Sequence, residues 1–326
     1  MPKEASSYGL CKLLGIDYPI LMAPMFLVSN TKMVVAALEN GITAALPALN
    51  FRTPTDFRNA VATIRQSTQK PFGINLIVNK SNYKYHDHLD LCIELKVDFI
   101  ITSLGNPVEV INRCKPLGIK VFCDVVDLAY AIKVADLGAD AVIAVNASAG
   151  GHAGHLSQGE LIPLLKQHLT IPIISAGGVG TGNQVDEALR LGAGGVSIGT
   201  LFIASEEAPV SLDYKKALID YSAQDIILTT KISGTALTVI NTPYFQSLSK
   251  DKSWLERMSS NKWLKKYAKL LLLLRGFKRL QKSDQKPDYQ SVWCAGPAIQ
   301  YIHAIRPVRQ IITQLIAESS IFSLRN

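Results

Sequence analysis

Along the first two-thirds of the chain, short unbroken apolar runs alternate with longer stretches whose apolar residues recur at helical spacing. Ile20–Ala23, Ile42–Leu46, Phe72–Leu76, Phe99–Thr102, Val121–Cys123, Ala141–Val145, Ile171–Ser175 and Gly195–Ile198 read as eight strands. They are continuous rather than alternating, the pattern of a parallel sheet covered on both faces. The stretches Thr31–Asn40, Thr55–Gln66, Asp87–Leu95, Pro107–Leu117, Asp127–Leu137, Glu160–His168, Gly182–Leu191 and Glu206–Tyr221 read as helices, with Thr31 as the first N-cap. Four of them run into Gly41, Gly118, Gly138 or Gly192 just before the next strand, as a left-handed helix end requires. Eight strand–helix units predict an α/β fold, a (β/α)8 TIM barrel, rather than a doubly wound sheet of five or six strands.

After Tyr221 the rhythm breaks. The expected organisation is a barrel over residues 1–221, a mainly helical cap insertion over 222–292, and a segment over 293–326 that returns to the barrel. Pro297–Glu318 reads as a final amphipathic helix, interrupted near Pro307.

Charge sharpens the view of the insertion. The net charge is +8, yet residues 250–286 hold twelve Lys/Arg and three Asp/Glu, an excess of nine, so the rest of the chain sums to −1. The basic character belongs to one segment. There Trp263, Tyr267, Leu270, Leu271 and Leu274 share a helical face, with Lys265, Lys266 and Lys269 elsewhere, and Trp254 lies just upstream. This is read as a cap helix packing on the barrel or on a second copy in a homodimer. The five leucines Leu270–Leu274 are too few to cross a bilayer, and no nucleic-acid motif accompanies the charge. At 326 residues, 48% hydrophobic and 18% charged, the chain can build a large core. With no long apolar run and no signal-like N-terminus, the cytoplasm is the default location. Five scattered cysteines without a CxxC pair exclude a disulfide framework and a zinc site, and no metal is expected; Cys294 alone sits in a motif of interest.

The chemistry concentrates in glycine-rich loops after the last three strands, the end of a barrel where active sites lie. They are Ala149-Gly150-Gly151-His152-Ala153-Gly154-His155, then Ser175-Ala176-Gly177-Gly178-Val179-Gly180-Thr181-Gly182, then Ile198-Gly199-Thr200. Adjacent glycines let backbone N–H groups approach an anion, Gly182 opens a helix, and Thr200 adds a hydroxyl. Together they read as a phosphate cradle without cationic side chains. A sugar phosphate and a flavin mononucleotide both satisfy that pattern, and a phosphate-binding barrel without redox chemistry remains a third reading.

Five motifs in order resemble the nitronate monooxygenase family, formerly 2-nitropropane dioxygenase: Ile20–Met25, Pro71–Leu76, Ala149–Gly154, Ala176–Val179 and Leu191–Thr200. Val292-Trp293-Cys294-Ala295-Gly296 resembles the family's segment near the C-terminus. The resemblance implies FMN in a barrel. Ala23, Pro24 and Met25 would line its isoalloxazine ring, and Asn75 would hydrogen-bond it. Ala149, Gly150 and Gly151 would pass close by, and Gly177, Gly178, Gly199 and Thr200 would hold the phosphate. Ser175 and Asp124 are further candidates at strand ends. His152 matches the family's catalytic histidine, and an imidazole titrating near neutrality suits proton transfer. His155 is read as a loop residue, His86, His88 and His168 as surface residues, and His303 as structural within the last helix.

The implied activity is oxidation of alkyl nitronates with O2 through the flavin. The alternative is an NAD(P)H-dependent reductase of the enoyl-acyl-carrier-protein or quinone reductase type, which carries similar motifs. Two departures bear on the substrate: Ser148 stands where the family has an acidic residue, and Ser233–Leu237 lacks the family's arginine.

Overall fold

A computed structural model describes residues 8–79, 82–230, 236–250 and 292–323. The basic segment from 251 to 286 and Ser233–Thr235 therefore lie outside the described residues, and so does any part they play in a cap or a dimer.

Eight parallel strands close into a barrel. They are β1 (Ile20–Met22), β2 (Thr43–Pro47), β3 (Gly73–Ile77), β4 (Phe99–Ser103), β5 (Lys120–Val125), β6 (Ala141–Val145), β8 (Ile173–Ala176) and β9 (Gly195–Ile198). Closure is made by β1 against β9, with Ile20 opposite Val196 and Met22 opposite Ile198. The short β7 (Gly151–His152) lies outside this ring.

The unbroken apolar runs are explained by two apolar environments on opposite faces of each strand. One face packs inside the barrel: Leu21, Ala45, Phe99, Ile101, Phe122, Ala141, Ile143 and Ile174 cluster together, with Phe99 and Phe122 stacked 4.8 Å apart. Helix α1 (Gly9–Leu14) plugs the lower end by adding Leu10 and Cys11 to that cluster. The other face, including Met22, Ile74, Ile100, Val121, Val142 and Ile173, packs against the surrounding helices.

Most helices form where expected, and the exceptions have local causes. Helix α2 (Thr31–Glu39) is capped by Asn30, whose side chain accepts from the Met33 amide at 2.9 Å; Thr31 is already inside it. The helix expected over Glu206–Tyr221 is shorter, α10 (Leu212–Asp220), and a separate short helix, α9 (Thr200–Ile203), precedes it. Pro209 disfavours a helical predecessor, and Ser211 then caps α10 through the Tyr214 amide. The last segment is likewise divided into a 3-10 turn, Pro297–Tyr301, and a helix, Val308–Glu318, so His303 lies between them and exposed rather than in a helix.

The described part of the insertion begins with strands rather than helices. β10 (Ile226–Thr229) pairs antiparallel with β11 (Leu237–Ile240), and β11 pairs antiparallel with β7, placing Leu237 opposite His152. Helix α11 (Pro243–Lys250) follows. Alternation over four-residue strands is too brief to separate from a loop, and β7 has only two residues, so none of this was legible in the pattern.

The C-terminal helix docks on α8 (Gly182–Arg190). The Gly182 amide donates to Glu318 Oε2 at 2.9 Å, and buried Asp186 accepts from the Ser320 amide at 2.7 Å and from the Ser319 hydroxyl. A Cβ at Gly182 would lie 2.3 Å from the Leu315 carbonyl oxygen. Gly182→Ala is therefore expected to cost roughly 1–3 kcal/mol of stability through overpacking against backbone. A urea titration checks this; a midpoint equal to the parent's would contradict the tight docking.

Candidate active site

Polar residues enter the barrel interior at its upper rim. On the inward faces of β3, β4 and β5 the series rises from Gly73, Phe99 and Phe122 to Asn75, Ser103 and Asp124. Asn75 Nδ2 donates to the Ile101 carbonyl at 3.2 Å and to Ser103 Oγ at 2.7 Å. The Ser103 hydroxyl donates in turn to Asp124 Oδ2 at 2.5 Å. Burial pushes the Asp124 carboxyl up to about 6, although the Ser103 hydrogen bond favours its charged form. Ser103 was not singled out from sequence; its signal was a hydroxyl at the end of an otherwise apolar strand.

The opposite side of the mouth is built from glycine loops. Gly177 and Gly178 have φ of 119° and 81°, values that L side chains rarely adopt. Fully buried Asn146 ties the loops after β6 and β8 together. Its Nδ2 donates to the Gly177 carbonyl at 3.0 Å, and its Oδ1 accepts from the Ser148 amide at 2.8 Å. Its own carbonyl accepts from the Ala149 and Gly154 amides. A Cβ at Gly177 would sit 2.4 Å from Asn146 Oδ1, so the glycine is required by this packing. Asn146 was visible in the sequence only as part of a departure from the family pattern.

Gly199 stands at the start of α9, beside Ala23 and Met25. The strap holding those two residues is fixed by the Met25 amide on Ser29 Oγ at 2.9 Å and the Leu27 amide on Asn50 Oδ1 at 2.9 Å. Thr200 Oγ1 accepts from the Gly296 amide at 3.0 Å, which leaves its own proton available. A Cβ at Gly150 would meet both Thr200 Oγ1 and the Gly296 nitrogen at 2.9 Å. The returning segment Val292–Gly296 thus closes on the rim, anchored by Trp293 stacked on Tyr214 at 5.5 Å and by the Tyr214 hydroxyl on the Cys294 carbonyl. Burial holds the Cys294 thiol up at about 12, so it is not a thiolate nucleophile.

Among the described residues, the backbone amides of Gly178, Val179, Gly199 and Thr200 donate to no protein acceptor. With the Thr200 hydroxyl they form a cradle with the donor character a phosphate needs, at the loops after the last two barrel strands and the start of a short extra helix. These donors suit the phosphate of a flavin nucleotide. The cradle does not include the start of α8, as the sequence reading had it, because Glu318 already satisfies the Gly182 amide. Ser175 is also displaced from the expected set. Its neighbour Ile174 faces the barrel interior, so its side chain lies on the outer face, with Oγ buried and unpartnered.

His152 sits on β7, held to β11 by backbone pairing, while Thr238 Oγ1 donates to the Ala149 carbonyl at 2.9 Å. Its side chain is solvent-accessible, yet partial desolvation lowers its pKa below the ordinary 6.5. Ser148 touches the Gly178 position, where a Cβ would approach its Cβ to 3.0 Å, so the residue replacing the family's acid adjoins the cradle. His155, His86 and His168 are exposed. His88, expected at the surface, is instead buried, and desolvation takes its pKa down to about 4.

The raised Asp124 pKa has a stability consequence. A carboxyl at about 6 when folded and near 3.8 when unfolded favours the fold most below the lower value. That contribution is lost as pH rises through about 6. The parent is expected to lose about 1–2 kcal/mol relative to Asp124→Asn between these limits, discounted for partial solvent access. Denaturant titrations at both ends measure it, and parallel pH profiles would contradict it.

The nitronate monooxygenase family model matches residues 80–318. Among curated proteins, (3aS,4S,5R,7aS)-5-hydroxy-7a-methyl-1-oxo-octahydro-1H-indene-4-carboxyl-CoA dehydrogenase of Rhodococcus jostii is 30% identical over 240 residues, covering 74% of this chain and 67% of that protein. A probable nitronate monooxygenase of Staphylococcus aureus is 26% identical over 284 residues, covering 74% and 80%. Among solved structures, FabK from Thermotoga maritima superposes with a TM-score of 0.82 at 30% identity, covering 97% of this chain and 96% of that one. Nitroalkane oxidase from Streptomyces ansochromogenes superposes with a TM-score of 0.78 at 21% identity, covering 95% and 97%, a likeness of fold. With the barrel, the amide cradle and the family match in agreement, the chain belongs to the nitronate monooxygenase family, flavin-dependent oxidoreductases.

Proposed function

We propose that this chain holds FMN and oxidises a carbon acid, a substrate whose C–H proton is removable because a neighbouring group delocalises the charge left behind. Nitroalkanes and the alkyl nitronates they form are the leading class. When bound, FMN supplies the two-electron acceptor and its reoxidation by O2.

The observation that carries this reading is the adjacency of base and cradle. His152 follows Gly150 by two residues, and the Gly150 position abuts Thr200 Oγ1. A base and an anion grip therefore share one wall of the mouth. The four free amides and the Thr200 hydroxyl would hold the phosphate by dipoles, without a cationic side chain. Ala23, Pro24 and Met25 would cover the ring, with Asn75 hydrogen-bonded to it, while Ala149, Gly150 and Gly151 leave space beside it. His152 would take the substrate proton at its ring nitrogen. A base must be neutral to act, and desolvation shifts His152 toward the neutral form relative to an ordinary histidine.

This assignment separates two substrates. Nitroethane still carries its proton, whereas propyl nitronate has already lost it. His152→Asn is expected to lower turnover of nitroethane by about 10²- to 10⁴-fold, with a much smaller loss for the nitronate and with FMN retained. Oxygen uptake measures both. For the parent, the acid limb of the nitroethane pH profile is expected to lie on the acid side of an ordinary histidine's, since desolvation lowers the His152 pKa. Equal losses on both substrates would remove His152 from the proton-transfer role.

A second reading is favoured by the 30% identity to FabK over nearly the whole chain and to a carboxyl-CoA dehydrogenase. An acyl thioester is also a carbon acid, and the loss of the acidic residue at Ser148 changes the charge beside the cradle. On this reading NAD(P)H exchanges electrons with the flavin, and the substrate is an acyl thioester. Anaerobic addition of NADH or NADPH would then bleach the flavin band rapidly. Persistence of the band through that addition, with bleaching by nitronate, supports the first reading.

A further inference from the structure

The polar series at the rim of β3, β4 and β5 has a direction, and the direction follows from which atoms can donate. Ile101's carbonyl only accepts, so the Asn75 atom 3.2 Å from it must be the amide nitrogen. The reversed amide would set two oxygens against each other. Ser103 Oγ takes the second Asn75 hydrogen because its own proton goes to Asp124 Oδ2. Both Asn75 hydrogens are consumed within the wall, and Oδ1 is the one group left for a ligand. Removing Ser103 frees an Asn75 N–H, and removing the Asp124 carboxyl frees the Ser103 proton so that the hydroxyl no longer selects the Asn75 nitrogen; either way the Asn75 amide loses half of what fixes its rotation.

We propose that Ser103 and Asp124 are positioning residues that fix the polarity of Asn75, so that this side chain meets the cofactor ring only as a hydrogen-bond acceptor. The proposal rests on the FMN reading above. An acceptor requires a donor opposite it, and the oxidised isoalloxazine ring offers a single N–H. The relay thus selects one edge of the ring for the β3 side of the mouth, while the cradle grips the phosphate on the β8–β9 side. Neither Ser103 nor Asp124 needs to touch the cofactor for this.

The test is equilibrium binding of FMN and of riboflavin to the apoprotein, followed by flavin fluorescence and the visible spectrum. Ser103→Ala is expected to weaken both ligands equally, by about three- to ten-fold, the worth of one hydrogen bond, and to shift the visible band. Ser103→Thr, which keeps the hydroxyl, restores affinity and spectrum. Asp124→Asn, which still accepts from Ser103, stays near the parent, and Asp124→Ala behaves like Ser103→Ala. The Asp124 pair decides the matter if Ser103→Ala does not fold. Ser103→Ala and Asp124→Ala proteins that bind both flavins within two-fold of the parent, with unshifted spectra, would overturn the positioning role and leave the FMN reading intact. A loss confined to FMN would also overturn it, since that places the defect at the phosphate. A parent apoprotein that binds neither flavin would remove the FMN reading and the relay with it.

Discussion

Backbone amides without carbonyl partners are the constraint around which the upper rim is arranged. Gly178, Val179, Gly199 and Thr200 present N–H groups that no protein acceptor answers among the described residues. An unanswered amide away from water is costly, so a cluster of them is stable only where an anion or solvent completes it. Keeping them free takes effort elsewhere. Asn146 occupies the Gly177 carbonyl and the Ser148 amide, Gly296 is spent on the Thr200 oxygen, and Glu318 closes the start of α8. Neighbouring polar groups are each given a partner, and one group of amides is left without a protein acceptor among the described residues.

The barrel was legible because its physics is periodic. Every strand faces apolar surroundings on both sides, which writes eight unbroken runs into the chain, and Gly41, Gly118, Gly138 and Gly192 mark the helix ends with φ between 75° and 105°. The glycine loops were legible too, since few other residues tolerate the conformations seen at Gly177 and Gly178. What escaped the sequence was set by contacts between distant segments. The assignment of α8 as part of the cradle failed because Glu318 lies 136 residues from Gly182. Ser175 was misplaced because a strand's register, not its composition, decides which side chains face inward. The support of His152 by β11 depends on a pairing across 85 or so residues, for which two-residue strands leave no periodic trace.

The two walls of the mouth divide the work by chemistry. The β8–β9 wall offers dipoles of fixed direction and suits a charged group. The β3–β5 wall offers a hydrogen-bonded relay ending in a carboxyl held near 6, and suits a neutral polar edge. His152 lies on a strand that belongs to neither the barrel nor its helices. Its position therefore depends on the insertion, whose strand β11 pairs with β7.

The central claim is that the amide cradle grips a phosphate, and a comparison of FMN with riboflavin tests it most directly. Calorimetric titration of the parent apoprotein should give FMN an affinity at least on the order of a hundred-fold above riboflavin, as several charge-assisted hydrogen bonds imply. Equal affinity for the two would mean that the amides hold no phosphate, and the account of this site would fail with them.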